Sequence, residues 1–533
     1  MYPRRPRTLS PSVCSRDHVT HSPLGIDRAR AHLSLFTHLI IVLVALSGCT
    51  RVHVSDQIET PDRFLEAGPP IDLHAKTSDI KSAGITPSAP WWQSFKSDAL
   101  DRLHDQLFSD NLQLLQARER VIQLRAIATQ TGSQRWPTLN LDLGWSRTKQ
   151  LNPFSRINNS GSPPAGMAGA TPNFPDSFTQ DNFRASLAVS YEVDVWGRVS
   201  SLTEAAERDA VSSQEDLKAI AVTLSATLTD LWLQLIEVEE RRRILAQQLN
   251  DDEAQLAVVT SRFQQGLSPH IEVLQQIQQR DRTRAQAPPL IAQSASLKRR
   301  IAALLGQPNL NPLSPPNTFP DLPPLPATGL PATVLAQRPD VRAAQARLAA
   351  ADARVSAAVS ARLPGLRIGT NIGYQSFEFK ELFDDIIWSL SANLLSPIFQ
   401  GGRLRAEQQR AEAVLRERLF ALRETVMTAY HEVEDALSNE RSSTEQLARI
   451  QAQLSSAQAL FESAQSRYLE GVGDFLTMLS ARQGLYIAQL SALSAGRAQL
   501  SARVQLHRAL AGSWVKRVVD SRPTADVPQT LTP

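Results

Sequence analysis

Polar and apolar positions along this chain alternate with two different periods, and each period occurs twice. Leu139, Leu141, Leu143 and Trp145 are separated by Asn140, Asp142 and Gly144, a period of two that predicts a strand with one apolar face. Phe183, Ala185, Leu187, Val189, Tyr191 and Val193 repeat it against Arg184, Ser186, Ser190 and Glu192. Leu366, Ile368, Ile372 and Tyr374 then alternate with Arg367, Gly369, Asn371 and Gln375. Trp388, Leu390, Ala392 and Leu394 do the same with Ser389, Ser391 and Asn393. Four strands are expected, at about 138–147, 182–195, 365–376 and 386–396. Residues 152–180, rich in Pro, Gly, Ser and Asn, read as a long loop between the first two.

The second period is helical. Neither 199–264 nor 403–469 contains a proline or glycine, and apolar residues recur at a 4,3 spacing: Leu217, Ala221, Leu224, Leu228, Leu231, and again Leu422, Val426, Ala429, Val433, Ala436. Heptads sustained this long predict coiled-coil packing of helices on the order of 100 Å long. Arg242, Asp252, Glu440 and Ser443 interrupt the seam with polar groups. Each long run ends in an aromatic and a glycine, SRFQQGLSPHIEVLQQ (261–276) and SRYLEGVGDFLTMLSA (466–481), with Arg262 and Arg467, Phe263 and Tyr468, Gly266 and Gly471 all 205 positions apart. Gly197-Arg198 and Gly402-Arg403 keep the same offset, so the chain is an internal duplication of strands and a helical hairpin. Return helices are expected from His270 to Leu305, stopped at Gly306, and from Asp474 to Leu510, stopped at Gly512. A helix from Asp98 to Gln134 precedes the first strand, and another opening at Arg338-Pro339-Asp340 precedes the third.

Composition narrows the function. The 533 residues carry a net charge of only +3, with no basic patch, which excludes an electrostatic claim on nucleic acid. No uninterrupted apolar run in the body reaches the roughly 20 residues of a membrane-spanning helix, so any spanning would be done by strands. Four strands of this length suit a tilted crossing but cannot close a barrel, and lipid tolerates no open sheet edge. Closure therefore needs several copies, with eight strands from two or twelve from three. The only cysteines are Cys14 and Cys49. Arginines at 4, 5, 7, 28 and 30, an apolar stretch from Leu33 to Leu46 and then Ser47-Gly48-Cys49 form an export leader whose end resembles a lipobox, which makes Cys49 the acylated residue. His104, His270, His431 and His507 are expected on polar helix faces, and no HExxH, P-loop or GxGxxG is present, so neither an enzyme nor a cofactor or metal is expected.

Six segments carry a family resemblance: PWWQSF (90–95), SYEVDVWGRV (190–199), SRFQQGLS (261–268), QRPDVRAAQARLAAA (337–351), LLSPIFQGGRLRA (394–406) and SRYLEGVGDFLTML (466–479). Together they resemble the TolC/OprM-type outer-membrane factors of tripartite efflux systems, in their lipoprotein (NodT-like) branch. The resemblance implies a mostly α fold with a membrane β-barrel: four transmembrane strands per protomer, twelve in a homotrimer, continued by a coiled-coil periplasmic tunnel. It divides the chain into a leader (1–48), a lipidated tether (49–97), a first repeat (98–306), a Pro-rich connector (307–337), a second repeat (338–512) and a tail (513–533). It implies a passive exit duct in outer-membrane lipid for drugs or other small toxic compounds, fed by a periplasmic adaptor and an inner-membrane transporter of the RND type. A duct of a type I protein secretion system is the alternative. Adaptor docking falls by resemblance on Arg262, Gly266, Leu267, Ser268, Arg467, Gly471, Val472 and Gly473, and the periplasmic aperture on Leu476, Ser480 and Asp474. Ser480 stands where the family often has Asp, and Ala481-Arg482-Gln483 replaces Ala-Gln-Arg, so the family's ionic lock is not carried over. Asp474 or Glu272 could supply charge at the tip instead.

The leader gives a direct test. Cys49→Ala is expected to abolish metabolic palmitate labelling of the protein, and labelling that persists would refute the lipobox reading.

Overall fold

A computed structural model describes residues 90–151, 175–308, 316, 318–326, 331–511 and 514–515. Cys49 and its leader, and most of the loop expected at 152–180, lie outside the described residues. The helices are α1 (Asp98–Asp110), α2 (Leu112–Gly132), α3 (Arg198–Gln264), α4 (His270–Ala285), α5 (Ala287–Leu304), α6 (Pro331–Gln337), α7 (Pro339–Ser360), α8 (Arg403–Leu469) and α9 (Phe475–Leu510). The strands are β1 (Thr138–Leu151), β2 (Ser177–Val193), β3 (Gly365–Ser376) and β4 (Ile386–Leu395), and they form one antiparallel sheet in the order β1-β2-β3-β4.

Both long helices contain 67 residues, which at 1.5 Å per residue is about 100 Å each. The alternation also places the strands, but β1 and β2 extend further than expected. Ladder pairing continues to Leu151↔Ser177, which moves Ser177–Gln180 out of the expected loop and into β2. Two expected helices are interrupted. Asn111 breaks the first because its backbone is extended (φ −63°, ψ 121°), its Oδ1 caps α2 by accepting from Leu114 N–H at 2.9 Å, and its amide donates to the Leu304 carbonyl at 2.7 Å. The first return helix breaks at Gln286, where α5 starts with Pro288-Pro289 in its first turn.

Two larger cores divide the repeats, α9 joins them, and a smaller apolar cluster lies near the bends. The first gathers Trp91, Trp92, Leu100, Phe108 and the centre of α3 (Leu228, Trp232, Leu235) with α5, and the second gathers α7 and α8. Leu500 and Val504 of α9 enter the first, while Leu506 and Ala509 enter the second. The centre of α3 is long and apolar enough to cross a membrane, yet most of it is buried inside the chain, so α3 is a core helix. Three features depart from the expected domain plan. Within the Pro-rich connector, residues 331–337 are helical and place Val334 and Leu335 in the second core. Trp514 and Val515, expected in a tail, are buried in the first core. The turn after α9 falls on Ala511 (φ 55°), which corresponds to Gly306 (φ 68°) at the 205-residue offset; Gly512 is not the equivalent.

The histidines correct another expectation. His104 is fully buried, stacked on Trp92 (ring centroids 4.2 Å apart), and His507 stacks on Trp91 at 5.3 Å. Burial outweighs the nearby carbonyls of Leu100 and Ser225 and lowers the pKa of His104 to about 4; burial, with the Arg503 charge, lowers His507 to about 4 as well. Since the unfolded chain binds these two protons at ordinary histidine pKa values, the folded state loses stability as pH falls from about 6.5 towards 4. A shift of this size corresponds to at most roughly 3–4 kcal/mol per histidine. A melting temperature that drops through this window, with a shallower drop in a His104→Leu/His507→Leu variant, is the expected result. An unchanged slope in that variant would refute it.

Candidate functional site

Register brings the apolar positions of all four strands onto one face. Leu141 faces Leu187, Leu187 faces Ile372, and Ile372 faces Trp388; Trp145 likewise faces Phe183. Leu139, Leu141, Leu143, Trp388, Leu390 and Leu394 are all exposed, and among the described residues nothing covers this face. The opposite face carries Asp142, Ser186, Asn371 and Ser389 in the same cross-strand rows or their neighbours, with Arg198 and Arg367 both bonded to Glu192 at its α3 end. A soluble sheet hides its apolar face under helices; this one turns it outward and keeps the polar face for the other side. β1 and β4 pair on one side only, so both outer edges of the sheet are open.

About 100 Å of helix away from these strands, the chain turns at Gly266 (φ 71°) and Gly471 (φ 77°). The two turns have the same hydrogen bonds. Leu267 and Val472 donate to the carbonyls of Arg262 and Arg467 (2.8 and 2.9 Å), and Gly266 and Gly471 donate to those of Phe263 and Tyr468 (2.9 and 3.1 Å). This is the Schellman arrangement, which a left-handed residue makes possible and glycine adopts without strain. Gly473 is needed for another reason: a Cβ there would lie 3.0 Å from the backbone of Arg467 and Tyr468. Asp474 starts α9 by accepting from Leu476 and Thr477 N–H at 2.9 and 3.0 Å, and hydrogen bonds from Thr477 hold its carboxyl below the usual range. At both bends the corresponding apolar residues remain bare: Leu267 and Val472 are 63% and 66% exposed, and Ile271 and Leu476 are exposed as well. Ser480 and Ser268 sit near them, Ser480 exposed and Ser268 half-buried.

The two hairpins are tied together just inside the bends. Tyr468 O–H donates to Glu272 at 3.0 Å, and the Arg262 guanidinium lies 5.0 Å over the Tyr468 ring. Burial, reinforced by Glu272, pushes the Tyr468 phenol up to about 12. Deeper still is a polar layer of which the sequence pattern marks only Asp252, as an interruption of the seam. Asp252, with no exposed surface, lies 3.7 Å from Arg482 and accepts from Thr283 O–H at 2.7 Å; Gln276 donates to the Asp252 carbonyl at 2.9 Å. Gln483 donates to Gln279 at 2.8 Å, and Tyr486 O–H to Asp251 at 3.2 Å. Arg482 therefore points away from the exposed Leu476–Ser480 stripe and into the contact between hairpins. Glu440, another buried acid of the long helices, is paired with Arg503, and Arg242 with Glu239 at 2.7 Å. Among the described residues no group of His, Cys, Asp and Glu is arranged to hold a metal.

Comparison with known proteins agrees with this geometry. The family model for outer membrane efflux proteins matches residues 103–307 and 330–512. The pyoverdine export outer membrane protein OpmQ of Pseudomonas putida KT2440 is 33% identical over 447 residues, covering 84% of this chain and 92% of that protein. The solvent efflux pump outer membrane protein SrpC of Pseudomonas putida is 29% identical over 493 residues, 89% of this chain and 97% of that one. Among solved structures, the outer-membrane channel OprN superposes with a TM-score of 0.72 at 26% identity, over 80% of this chain and 92% of that chain.

Removing the cation from the buried pair tests the layer. Arg482→Met leaves Asp252 buried without its counter-charge and is expected to cost about 3–5 kcal/mol. Unfolding by denaturant, followed by circular dichroism, should show that loss and its partial recovery in Arg482→Met/Asp252→Asn. A single variant as stable as the parent would mean that the pair contributes nothing.

Proposed function

The chain belongs to the outer membrane efflux protein family, and on that premise we propose that three copies close into one conduit that carries small molecules out through the outer membrane. The observation that carries this reading is the sheet: a bare apolar face, a polar reverse and two unpaired edges, attached to helices of 67 residues. Three copies contribute twelve strands, with β4 of each joined to β1 of the next. The helices bordering the open edges support the same seam, since Leu115 and Ile127 of α2 and Phe420 and Met427 of α8 are exposed apolar residues without cover. Acylated Cys49 adds a lipid anchor.

The bends at Gly266 and Gly471 are the docking surface for a periplasmic adaptor. Two tight turns present bare Leu267 and Val472, each five residues after a basic residue, Arg262 or Arg467, which suits a helical hairpin with an apolar tip. The adaptor couples the duct to an inner-membrane transporter, of the RND type in this reading. Leu476, Ser480 and Asp474 surround the aperture. Cargo is small and chemically varied, in line with relatives named for pyoverdine export and for solvent efflux. An open polar duct imposes little selection of its own, so the transporter chooses.

Deleting the gene should raise susceptibility to solvents, dyes or drugs, and the parent gene should restore resistance. A Leu267→Asp/Val472→Asp variant should fail to restore it while still inserting as a trimer and should no longer retain the adaptor in pull-downs. Unchanged susceptibility together with a missing secreted polypeptide would overturn small-molecule efflux in favour of protein secretion.

A further inference from the structure

The strand-to-helix junctions of the two repeats occupy corresponding positions but are built differently. In the first, Asp194 accepts from Val199 and Ser200 N–H (3.1 and 2.7 Å), and Trp196 Nε1–H donates to the Pro364 carbonyl at 2.8 Å. Ser360 O–H donates to the Trp196 carbonyl at 2.8 Å. In the second, 205 positions later, Phe399 replaces Asp194 and Gly401 replaces Trp196. Both the cap and the anchor are gone. Gly401 and Gly402 (φ 57° and 85°) turn the chain into α8, and Ile398 and Phe399 are left 93% and 88% exposed, the barest large apolar side chains among the described residues.

These two residues follow β4, one open edge of the sheet. The other open edge, β1, begins directly after an open groove of about 620 Å³ between α2 and α3, floored by Ala128, Gly132 and Ala210 and rimmed by Arg125, Arg135 and Trp136. Arg125 is held by Gln214 at 3.4 Å and Arg135 by the Ser200 carbonyl at 3.2 Å, which leaves the exposed Trp136 ring free to receive another aromatic. Tooth and groove lie at the same end of the sheet. Trp136 lies just before β1 opens at Thr138 and Ile398-Phe399 just after β4 closes at Leu395, so both flank the sheet on its helix side.

We propose that Ile398 and Phe399 of one copy seat in the Trp136 groove of the next copy, keying every seam of the closed assembly. The proposal rests on the reading that copies join β4 to β1. It supplies what that pairing lacks. Backbone hydrogen bonds form equally well at several registers, and a slip of one residue would turn apolar side chains from lipid to lumen. A bulky pair that fits one groove selects one register, and an aromatic edge-to-face contact rewards the correct one.

The test is a pair of cysteines in the full chain in native membranes. Phe399→Cys/Trp136→Cys should give covalently linked multimers on mild oxidation or with a short bis-maleimide, and neither single variant should. A closed oligomer, detected by amine cross-linking, in which the cysteine pair does not link would overturn the key and leave strand closure standing. A chain that remains monomeric in the membrane would overturn both. Independently, Phe399→Ala should lower the temperature at which the oligomer dissociates by several degrees, Phe399→Leu much less, and Phe377→Ala, at the far end of β3, not at all. A Phe399→Ala oligomer as heat-resistant as the parent would refute the proposal. So would Phe399→Trp fluorescence quenched by brominated lipid as strongly as that of Trp388, which would assign the position to lipid.

Discussion

The interaction on which this structure depends is the hydrogen bond that β1 and β4 each lack. In water an open sheet edge costs little, because solvent pairs with it. In hydrocarbon each unsatisfied N–H or carbonyl costs several kcal/mol, so a four-stranded sheet with a lipid-compatible face cannot exist there alone. The outward apolar face and the open edges therefore have to be explained together: the first is stable only in lipid, and the second is unstable there until another chain arrives. The bare apolar residues on α2 and α8, the helices next to those edges, extend the same requirement below the strands.

Duplication makes the geometry economical, and the places where the copies diverge carry the specialised contacts. Equal helices of 67 residues bring both bends to the same level, and the same Schellman hydrogen bonds form at Gly266 and Gly471. The copies part at single positions. Tyr468 is buried and bonded to Glu272, whereas its counterpart Phe263 is partly exposed. Asp194 caps α3, whereas Phe399 projects from the equivalent turn. Near the bends the hairpins meet through buried polar groups as well as through the apolar cluster of Val259, Phe475 and Met478. A buried pair such as Asp252 with Arg482 adds little net stability over an apolar contact of the same size, but breaking it is expensive.

Much of this was legible in the residues. A period of two located four strands to within a few residues at most ends, because a side chain in a pleated strand must face either lipid or the polar side. The 205-residue offset located the junctions and bends, because only glycine enters the left-handed turn there without strain. What could not be read was decided by partners distant in sequence. Asn111 looked like an ordinary helical residue until the Leu304 carbonyl, 193 positions away, held its amide. His104 and His507 looked polar and solvated, but Trp92 and Trp91 enclose them in the first core. Arg482 reads in the sequence only as a departure from a family motif, yet it faces Asp252 on another helix.

By itself, then, the order of residues determined the elements: strand faces through their alternation, helix lengths through the absence of proline and glycine, and the bends through glycine. Those are local, steric choices made within a few residues. Tertiary structure alone decided which polar groups are buried and paired, which helices are interrupted, and which apolar residues are left bare. Those outcomes depend on what surrounds a side chain, and for Leu267, Val472, Ile398 and Phe399 no other part of the described chain provides that surrounding.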